Sequence, residues 1–243
     1  MKLIPSLFCG SPLMLSNLTF AFLNNLMPPS SCLLCGASSR HQAFCDGCAG
    51  ALPWLPGLHC PLCAMPTLDG GPCGDCLKAP PAFDATCAAF LYAGTLAQLI
   101  PAAKFGARWS ILPALAQLML PALEKHPRPD LIVPLPLHPL RLKERGFNQA
   151  QEIASPLARE LKVPLENACL IRTRNTEHQA RLSEKARKAN MRRAFSTIAD
   201  LDGKHVAIVD DVMTTGTSLD AAARALKQAG ASRVDAWVLA RTP

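Results

Sequence analysis

The stretch from Val206 to Ser218 restricts what this chain can fold into more than any other. Val206-Ala207-Ile208-Val209 is short, apolar and rich in β-branched residues, the pattern of a strand buried on both faces of a parallel sheet. Asp210 and Asp211 follow at its carboxyl end, and then the run Thr214-Thr215-Gly216-Thr217-Ser218. From Leu219 to Gly230 the apolar period lengthens. Leu219, Ala222, Ala223 and Leu226 share one helical face, and Gly230 is placed to stop the helix. The order is strand, acidic pair, hydroxyl-rich turn, helix.

That order carries chemistry. Backbone N–H groups and hydroxyls that converge at a helix N-terminus make a site for a phosphate monoester. Asp210 and Asp211 are acceptors, unsuited to phosphate but suited to a neighbouring group with donors, such as the vicinal hydroxyls of a ribose. A 5-phosphoribosyl group presents both features. The plainer alternative, a capped helix after a buried strand with solvated acids, accounts for a lone Thr-Thr-Gly but not for the whole run.

Eight of the eleven cysteines form four Cys-x-x-Cys pairs: Cys32/Cys35, Cys45/Cys48, Cys60/Cys63 and Cys73/Cys76. Nine residues separate the first two pairs and nine separate the last two, so the segment is an internal repeat. Each pair turns two thiolates toward one tetrahedral metal, and two pairs close a Cys₄ site. The expectation is two structural zinc ions in a reducing compartment, not a disulfide framework. Pairing in sequence order satisfies the spacing, and so does pairing the outer two knuckles on one metal and the inner two on the other. Gly36, Gly47 and Gly74 suit the turns. Cys9, Cys87 and Cys169 read as small buried side chains.

The remaining sequence sets the frame. An apolar fraction of 49% with 18% charged residues suits a core-forming protein. The formal charge of +7 is uneven: residues 1–100 hold three Lys/Arg against four Asp/Glu, and residues 101–243 hold twenty-two against fourteen. The basic half is the half with the phosphate-binding turn, as a polyanionic ligand requires, and the excess also leaves room for nucleic acid. Leu13 to Met27 is apolar but broken by Ser16, Asn17, Asn24 and Asn25, too short to span a bilayer; residues 1–31 read as an extension with a short amphipathic helix. Residues 32–80 form the cysteine-rich module, ended by Pro80-Pro81, and 81–243 the larger domain. There, strands are expected near Thr86–Tyr92, Leu131–Pro136, Leu170–Thr173, Val206–Val209 and Val234–Ala240. Helices are expected over Leu96–Lys104, Ile111–Lys125 and 150–161, the last with a buried stripe of Ile153, Leu157 and Leu161. Alternating strands and helices predict a parallel α/β sheet flanked by helices, with ligands at the carboxyl ends of its strands.

Two basic segments accompany the acidic pair. Arg141-Leu142-Lys143-Glu144-Arg145-Gly146-Phe147-Asn148-Gln149 places Arg141 and Arg145 one helical turn apart, able to fork onto phosphate oxygens. Residues 172–193 carry eight Lys/Arg and two Glu, a charged, exposed loop.

The run Val206–Ser218 resembles the phosphoribosyl-pyrophosphate (PRPP) signature of type I phosphoribosyltransferases. The four cysteine pairs, Arg145-Gly146-Phe147-Asn148-Gln149, and Gln179, Leu182, Arg187, Asn190 and Ala194-Phe195 resemble the ComF/GntX branch in the same order. The resemblance implies a cytoplasmic, type I phosphoribosyltransferase-like domain behind a double zinc ribbon, which displaces pyrophosphate from PRPP with Mg²⁺ bound to the substrate. It implies that Asp210 and Asp211 hold the ribose and that Thr214, Thr215, Gly216, Thr217 and Ser218 anchor the 5-phosphate. Lys104, Arg141 and Arg145 then meet the pyrophosphate, the loop after Leu131–Pro136 also binds pyrophosphate, and residues 172–193 close as a lid. The family is linked to competence and DNA uptake, so single-stranded DNA and competence-machinery proteins are the partners to consider. No segment specifies the acceptor. A PRPP sensor without turnover and a single-stranded-DNA-binding competence factor are the alternative readings.

Overall fold

In the computed structural model the described residues are 31–39, 42–105, 108, 110–173 and 194–243. They fall in two compact units, one ending at Ala49 and one beginning at Gly50. The division passes between the two halves of the cysteine repeat. In the first unit the described large apolar side chain that is fully buried is Phe44, too little to hold a fold without cross-links. A short helix, α1 (Asp46–Gly50), follows Cys45, and its counterpart α2 (Gly74–Lys78) follows Cys73.

The larger unit is built on a four-stranded parallel sheet. β1 (Ala85–Leu91), β2 (Leu131–Pro134), β5 (His205–Met213) and β6 (Arg233–Arg241) lie in the order β1-β6-β5-β2. Helices α3 (Leu96–Phe105) and α4 (Ile111–Leu123) follow β1, and α5 (Pro139–Arg145) and α6 (Gln149–Leu161) follow β2. Helix α7 (Thr217–Gln228) joins β5 to β6. Strand period two divides the core. Val206, Ile208, Val234, Ala236 and Val238 cluster with Leu219, Ala222, Ala223 and Leu226 of α7. Ile132, Ala207, Val209 and Trp237 alternate with them on the other face, where α4 and α6 pack. Burying each aliphatic side chain such as Ile132, Ile153, Leu157 or Ile208 contributes about 1.5–3 kcal/mol, so this unit has the core that the first one lacks. In α6, Ile153 and Leu157 are fully buried and Leu161 is half-buried, because the helix ends there with Lys162 left-handed at φ 54°.

One boundary differs from expectation. The strand read as ending at Val209 continues through both acids to Met213, because β6 is long enough to pair with it throughout, from His205↔Arg233 to Met213↔Arg241. On the other side β2 stops at Pro134↔Val209, and residues 210–213 have no strand partner there. Gly230 stops α7 as expected: the helix ends at Gln228, Gly230 is left-handed at φ +98° just past the cap, its N–H donates to Lys227 O at 3.1 Å and that of Ala231 to Leu226 O at 3.2 Å. A Cβ at Gly230 would lie 2.9 Å from the Asp202 Cα. β3 (Leu170–Arg172) and β4 (Phe195–Thr197) form a separate antiparallel pair. The lid expected over 172–193 lies, beyond Thr173, outside the described residues.

Candidate functional site

The cysteines assemble in sequence order. Cys32, Cys35, Cys45 and Cys48 form one tetrad, Cys60, Cys63, Cys73 and Cys76 the other, and within each tetrad all four sulfurs lie within 4.8 Å of one another. Cys35 and Cys45 Sγ are 3.7 Å apart and Cys63 and Cys73 Sγ 3.6 Å. Sulfurs at about 2.3 Å from a tetrahedral zinc sit about 3.8 Å apart, so both tetrads fit the ion, with no coordination position left for a substrate.

The repeat holds to the level of single hydrogen bonds, offset by 28 residues. Cys32 N–H donates to Ala37 O, and Cys60 N–H to Met65 O, both at 2.7 Å. Ser31 bridges Ser38 as His59 bridges Pro66. Burial opposes ionisation of the first cysteine in each tetrad, but backbone N–H groups from Cys35, Cys45 and Leu34 bring Cys32 down to about 6. Those of Cys73, Cys63 and Leu62 bring Cys60 down to about 7. Of the three glycines expected at the turns, Gly36 is left-handed (φ +74°), whereas Gly47 and Gly74 sit in the short helices; the equivalent of Gly36 is Ala64, at φ 56°. Cys87 and Cys169 are buried free thiols, pushed by that burial up to about 12 and about 11.

The second tetrad is built into the α/β unit. Thr86 at the start of β1 takes up both carbonyls of the knuckle: its N–H donates to Pro61 O at 3.0 Å and its hydroxyl to Leu62 O at 2.5 Å. Arg241 Nε donates to Cys63 O at 2.8 Å.

At the carboxyl end of β5 lies a cavity of about 340 Å³. Its lining brings together Lys104, Arg145, Asp210, Asp211, Thr214 and Ser218 from the expected set, and Tyr92, Gln149 and Arg172, which sequence did not single out as site residues. Asp211 is buried and forms an ion pair with Lys104, carried there by the last turn of α3. Asp211 N–H donates to Asp210 Oδ1 at 2.9 Å. Asp210 keeps part of its surface open to the cavity, but its carboxyl sits deep. Desolvation, then the negative charge of Asp211 and a shared hydrogen bond with it, hold Asp210 well above the usual carboxylate range; the Asp211 N–H and Lys104 only partly oppose this.

The Arg145–Gln149 run has a local reason for four of its five residues, Arg145, Gly146, Asn148 and Gln149. Gly146 caps α5 in the left-handed region at φ 81°, and the Asn148 side chain caps α6 by accepting from Ala150 N–H at 3.1 Å. Asn148 Nδ2 also donates to Leu135 O at 3.2 Å, fixing the loop after β2. Arg145 stacks 5.2 Å over Phe105 and donates to Gln149 Oε1 at 2.5 Å. Arg141 shares α5 with Arg145 but pairs with Glu144 at 3.4 Å and does not line the cavity.

Beyond Met213 the turn enters α7 through Gly216, its N-cap, at φ 73°. A Cβ there would meet the Met213 and Phe83 side chains at an ordinary 3.7 Å, so backbone conformation, not space, requires glycine. Thr215 and Thr217 hydroxyls bond each other at 2.8 Å; with Gly216 they flank the cavity without lining it. Arg172 extends from β3 into the cavity and stacks 5.6 Å over Phe195. Its signal in the sequence was position alone, the first basic residue of the charged segment. The rest of that segment lies outside the described residues.

Comparison with known proteins follows the same two-part plan. Residues 148–243 match the phosphoribosyl transferase domain and residues 22–77 the double zinc ribbon domain. The DNA utilization protein YhgH of Escherichia coli (strain K12) is 36% identical over 226 residues, 89% of this chain and 99% of its own. Competence protein F of Haemophilus influenzae is 33% identical over 210 residues, 82% of this chain and 91% of its own. Competence protein ComFC of Bacillus subtilis is 29% identical over 212 residues, 83% of this chain and 85% of its own. Among the described residues no helix is long and apolar enough to cross a membrane.

Two outcomes are expected. Elemental analysis should find two zinc ions per chain. Cys45→Ser should lose one of them with little change in the main thermal transition, whereas Cys73→Ser should lower that transition, because the second knuckle is hydrogen-bonded to β1 and β6. Asp210→Asn should stabilise the ligand-free protein. A carboxyl with a raised folded pKa binds its proton more tightly when folded, so its contribution falls as pH rises from the unfolded carboxylate range toward the folded value. The gain in thermal stability should therefore be small near pH 4 and grow toward neutrality, at most about 1.4 kcal/mol per pH unit. An equal gain at all pH values would show that the carboxyl is not strained.

Proposed function

Because this chain belongs to the ComF/GntX family, a double zinc ribbon followed by a phosphoribosyltransferase domain, we propose that its pocket binds PRPP and transfers the 5-phosphoribosyl group to an acceptor. The observation that carries this reading is the acidic pair on the carboxyl end of β5, followed directly by the Gly216 turn into α7. Asp210 and Asp211 accept the ribose hydroxyls. Thr214, Thr215, Gly216, Thr217 and Ser218 take the 5-phosphate at the N-terminus of α7. Lys104 and Arg145 face the pyrophosphate, with Arg141 able to reach it only by leaving Glu144. The bond from the anomeric carbon to pyrophosphate breaks as the bond to the acceptor forms, pyrophosphate leaves with the electron pair, and the acceptor gives up a proton. Asp210 and Asp211 place negative charge beside a ribosyl centre that becomes cationic on the way.

Asp210 and Asp211, in a cavity that Lys104, Arg145 and Arg172 also line, are oxygen ligands suited to Mg²⁺ held largely through ligand oxygens and water. When bound, the ion neutralises pyrophosphate charge. The ribbons are structural, and the chain works in the cytoplasm.

Calorimetry with PRPP and with ribose 5-phosphate, with and without Mg²⁺, tests the reading. The wild type should bind both, and Asp211→Asn, folded by circular dichroism, should bind Mg²⁺–PRPP about tenfold more weakly, the size of one charge-assisted hydrogen bond. Binding of neither ligand at millimolar concentration overturns the proposal. Binding of PRPP without pyrophosphate release across an acceptor panel makes the protein a PRPP sensor.

The names of the relatives favour a second reading, a role in DNA handling with single-stranded DNA or competence-machinery proteins as partners. Basic residues 181–193 then supply the contacts, and affinity for an oligonucleotide should fall by roughly 0.7 log units per log unit of salt for each phosphate neutralised. Affinity indifferent to salt excludes this use of the basic segment.

A further inference from the structure

Arg241 lies third from the carboxyl end, where neither the signature nor the cysteine repeat reaches, yet it touches both. It is buried, at 6% exposure. Nε donates to Cys63 O at 2.8 Å, and Nη1 to Met213 O at 3.1 Å and Thr214 O at 2.6 Å, with Thr242 O as a further acceptor. Its own carbonyl accepts from Tyr92 N–H at 2.8 Å, and Tyr92 lines the cavity. Among the described residues no carboxylate pairs with it.

A buried guanidinium without a carboxylate needs another source of negative charge. Two candidates stand on either side. Four thiolates around a divalent ion leave a net charge of about −2 at the second tetrad, whose Cys63 carbonyl Arg241 holds. The turn on the other side is the one proposed to take the 5-phosphate.

The carbonyl contacts also orient the turn. Peptide bonds are planar and trans, so each N–H points opposite to the carbonyl of the preceding residue. None of the described peptides is cis. With the carbonyls of Met213 and Thr214 both directed at Arg241, the N–H groups of Thr214 and Thr215 are directed away from it. Thr214 and Thr215 are both exposed, at the mouth of the cavity and beside the start of α7. Two amide donors are thereby held outward before any ligand arrives.

We propose that Arg241 is a positioning residue that locks the 5-phosphate turn to the second cysteine tetrad, so that the affinity for the phosphoribosyl 5-phosphate depends on the state of that tetrad and not of the first. The proposal rests on the phosphoribosyl reading of the pocket. Linkage makes it reciprocal: whatever factor an intact second tetrad adds to ribose 5-phosphate affinity, ribose 5-phosphate adds to zinc retention there.

Two measurements on the full-length protein decide it. In the first, zinc release to a chromogenic chelator is followed with and without saturating ribose 5-phosphate. At equilibrium one of the two zinc ions should need at least about fivefold more free chelator for release, and the other should be unaffected. Retention of both or of neither overturns the coupling. In the second, Arg241→Lys keeps the charge but cannot fork onto the four carbonyls that Arg241 holds. Ribose 5-phosphate should bind it at least about fivefold more weakly, with pyrophosphate binding unchanged and the ligand-dependent zinc retention lost. A parallel loss of both ligands marks Arg241 as structural only and overturns the proposal, as does no loss of either. Should Arg241→Lys fail to fold, the wild-type zinc experiment still decides. A wild type that binds no ribose 5-phosphate sinks the phosphoribosyl reading itself, whereas binding without selective zinc retention sinks only the role of Arg241.

Discussion

The pocket depends on a difference in length between two neighbouring strands. β6 pairs with β5 for its whole length, but β2 stops opposite Val209. Had β2 run four residues further, its ladder would cover positions 210–213. It stops at Pro134, and after Leu135 N–H donates to Val209 O the chain leaves the sheet through Pro136. Positions 134 and 136 share the side of β2 on which Ile132 N–H donates to Pro164 O, so prolines there cost the β5 ladder no bond and instead stiffen the turn by which the chain leaves the sheet. Asp210 and Asp211 are thus held in regular strand geometry on one side and open to a cavity on the other. Arg145, Gln149 and Lys104 reach that opening from helices that follow β2 and β1.

A second economy concerns where folding energy comes from. The two ribbons share spacing, bridges and amide–sulfur bonds, yet their contexts differ. The first sits in a unit with a single large buried side chain among its described residues, and its metal must replace a core. The second belongs to the unit with the sheet. Its Ala64 is buried at a left-handed position where the first ribbon has an exposed glycine, and it belongs to the same apolar cluster as Phe83 and Val238. A side chain at φ 56° costs roughly 1–2 kcal/mol, and its methyl is retained where burial offsets the strain. Duplication gave two similar knuckles; packing has made one of them part of the α/β domain.

Local signals reached most of this. The continuous apolar run Val206–Val209, period 3.6 in Leu219–Leu226 and the nine-residue gaps between cysteine pairs are properties of neighbouring residues, and each marked an element that the structure contains. What they missed are facts about partners distant in sequence. The length of β5 is set by β6, some twenty residues on. Pairing of the knuckles in sequence order needed distances. Arg172 and Tyr92 enter the site only because β3 and β1 end there, and nothing in their neighbours marks them. Arg141 and Arg145 look equivalent by helical spacing, but Glu144 takes one and Phe105 supports the other. Gly216 was legible as part of the turn, and what the structure adds is a left-handed backbone angle of φ 73°, set by the fold of the turn.

The charges in the empty cavity explain why it should be a receptor and not simply a salt bridge. Lys104 is committed to Asp211, which lies deeper, and Asp211 also gives its N–H to Asp210. Asp210 is left with one amide donor, a like charge beside it and little water, and it holds its proton more tightly as a result. A lysine added to satisfy it would give a fully compensated, stable and inert cluster. A ligand that brings donors, or a cation bound through the ligand, supplies the missing partner only while it is present. The cost of keeping Asp210 unsatisfied is then recovered on binding, and part of the stability lost in the free protein becomes affinity. Arg145 and Arg172, which line the same cavity, are held over Phe105 and Phe195, cations supported by ring faces. The lining thus combines carboxyls short of donors with cations rich in them, a combination that fits a molecule carrying both hydroxyls and phosphate charge.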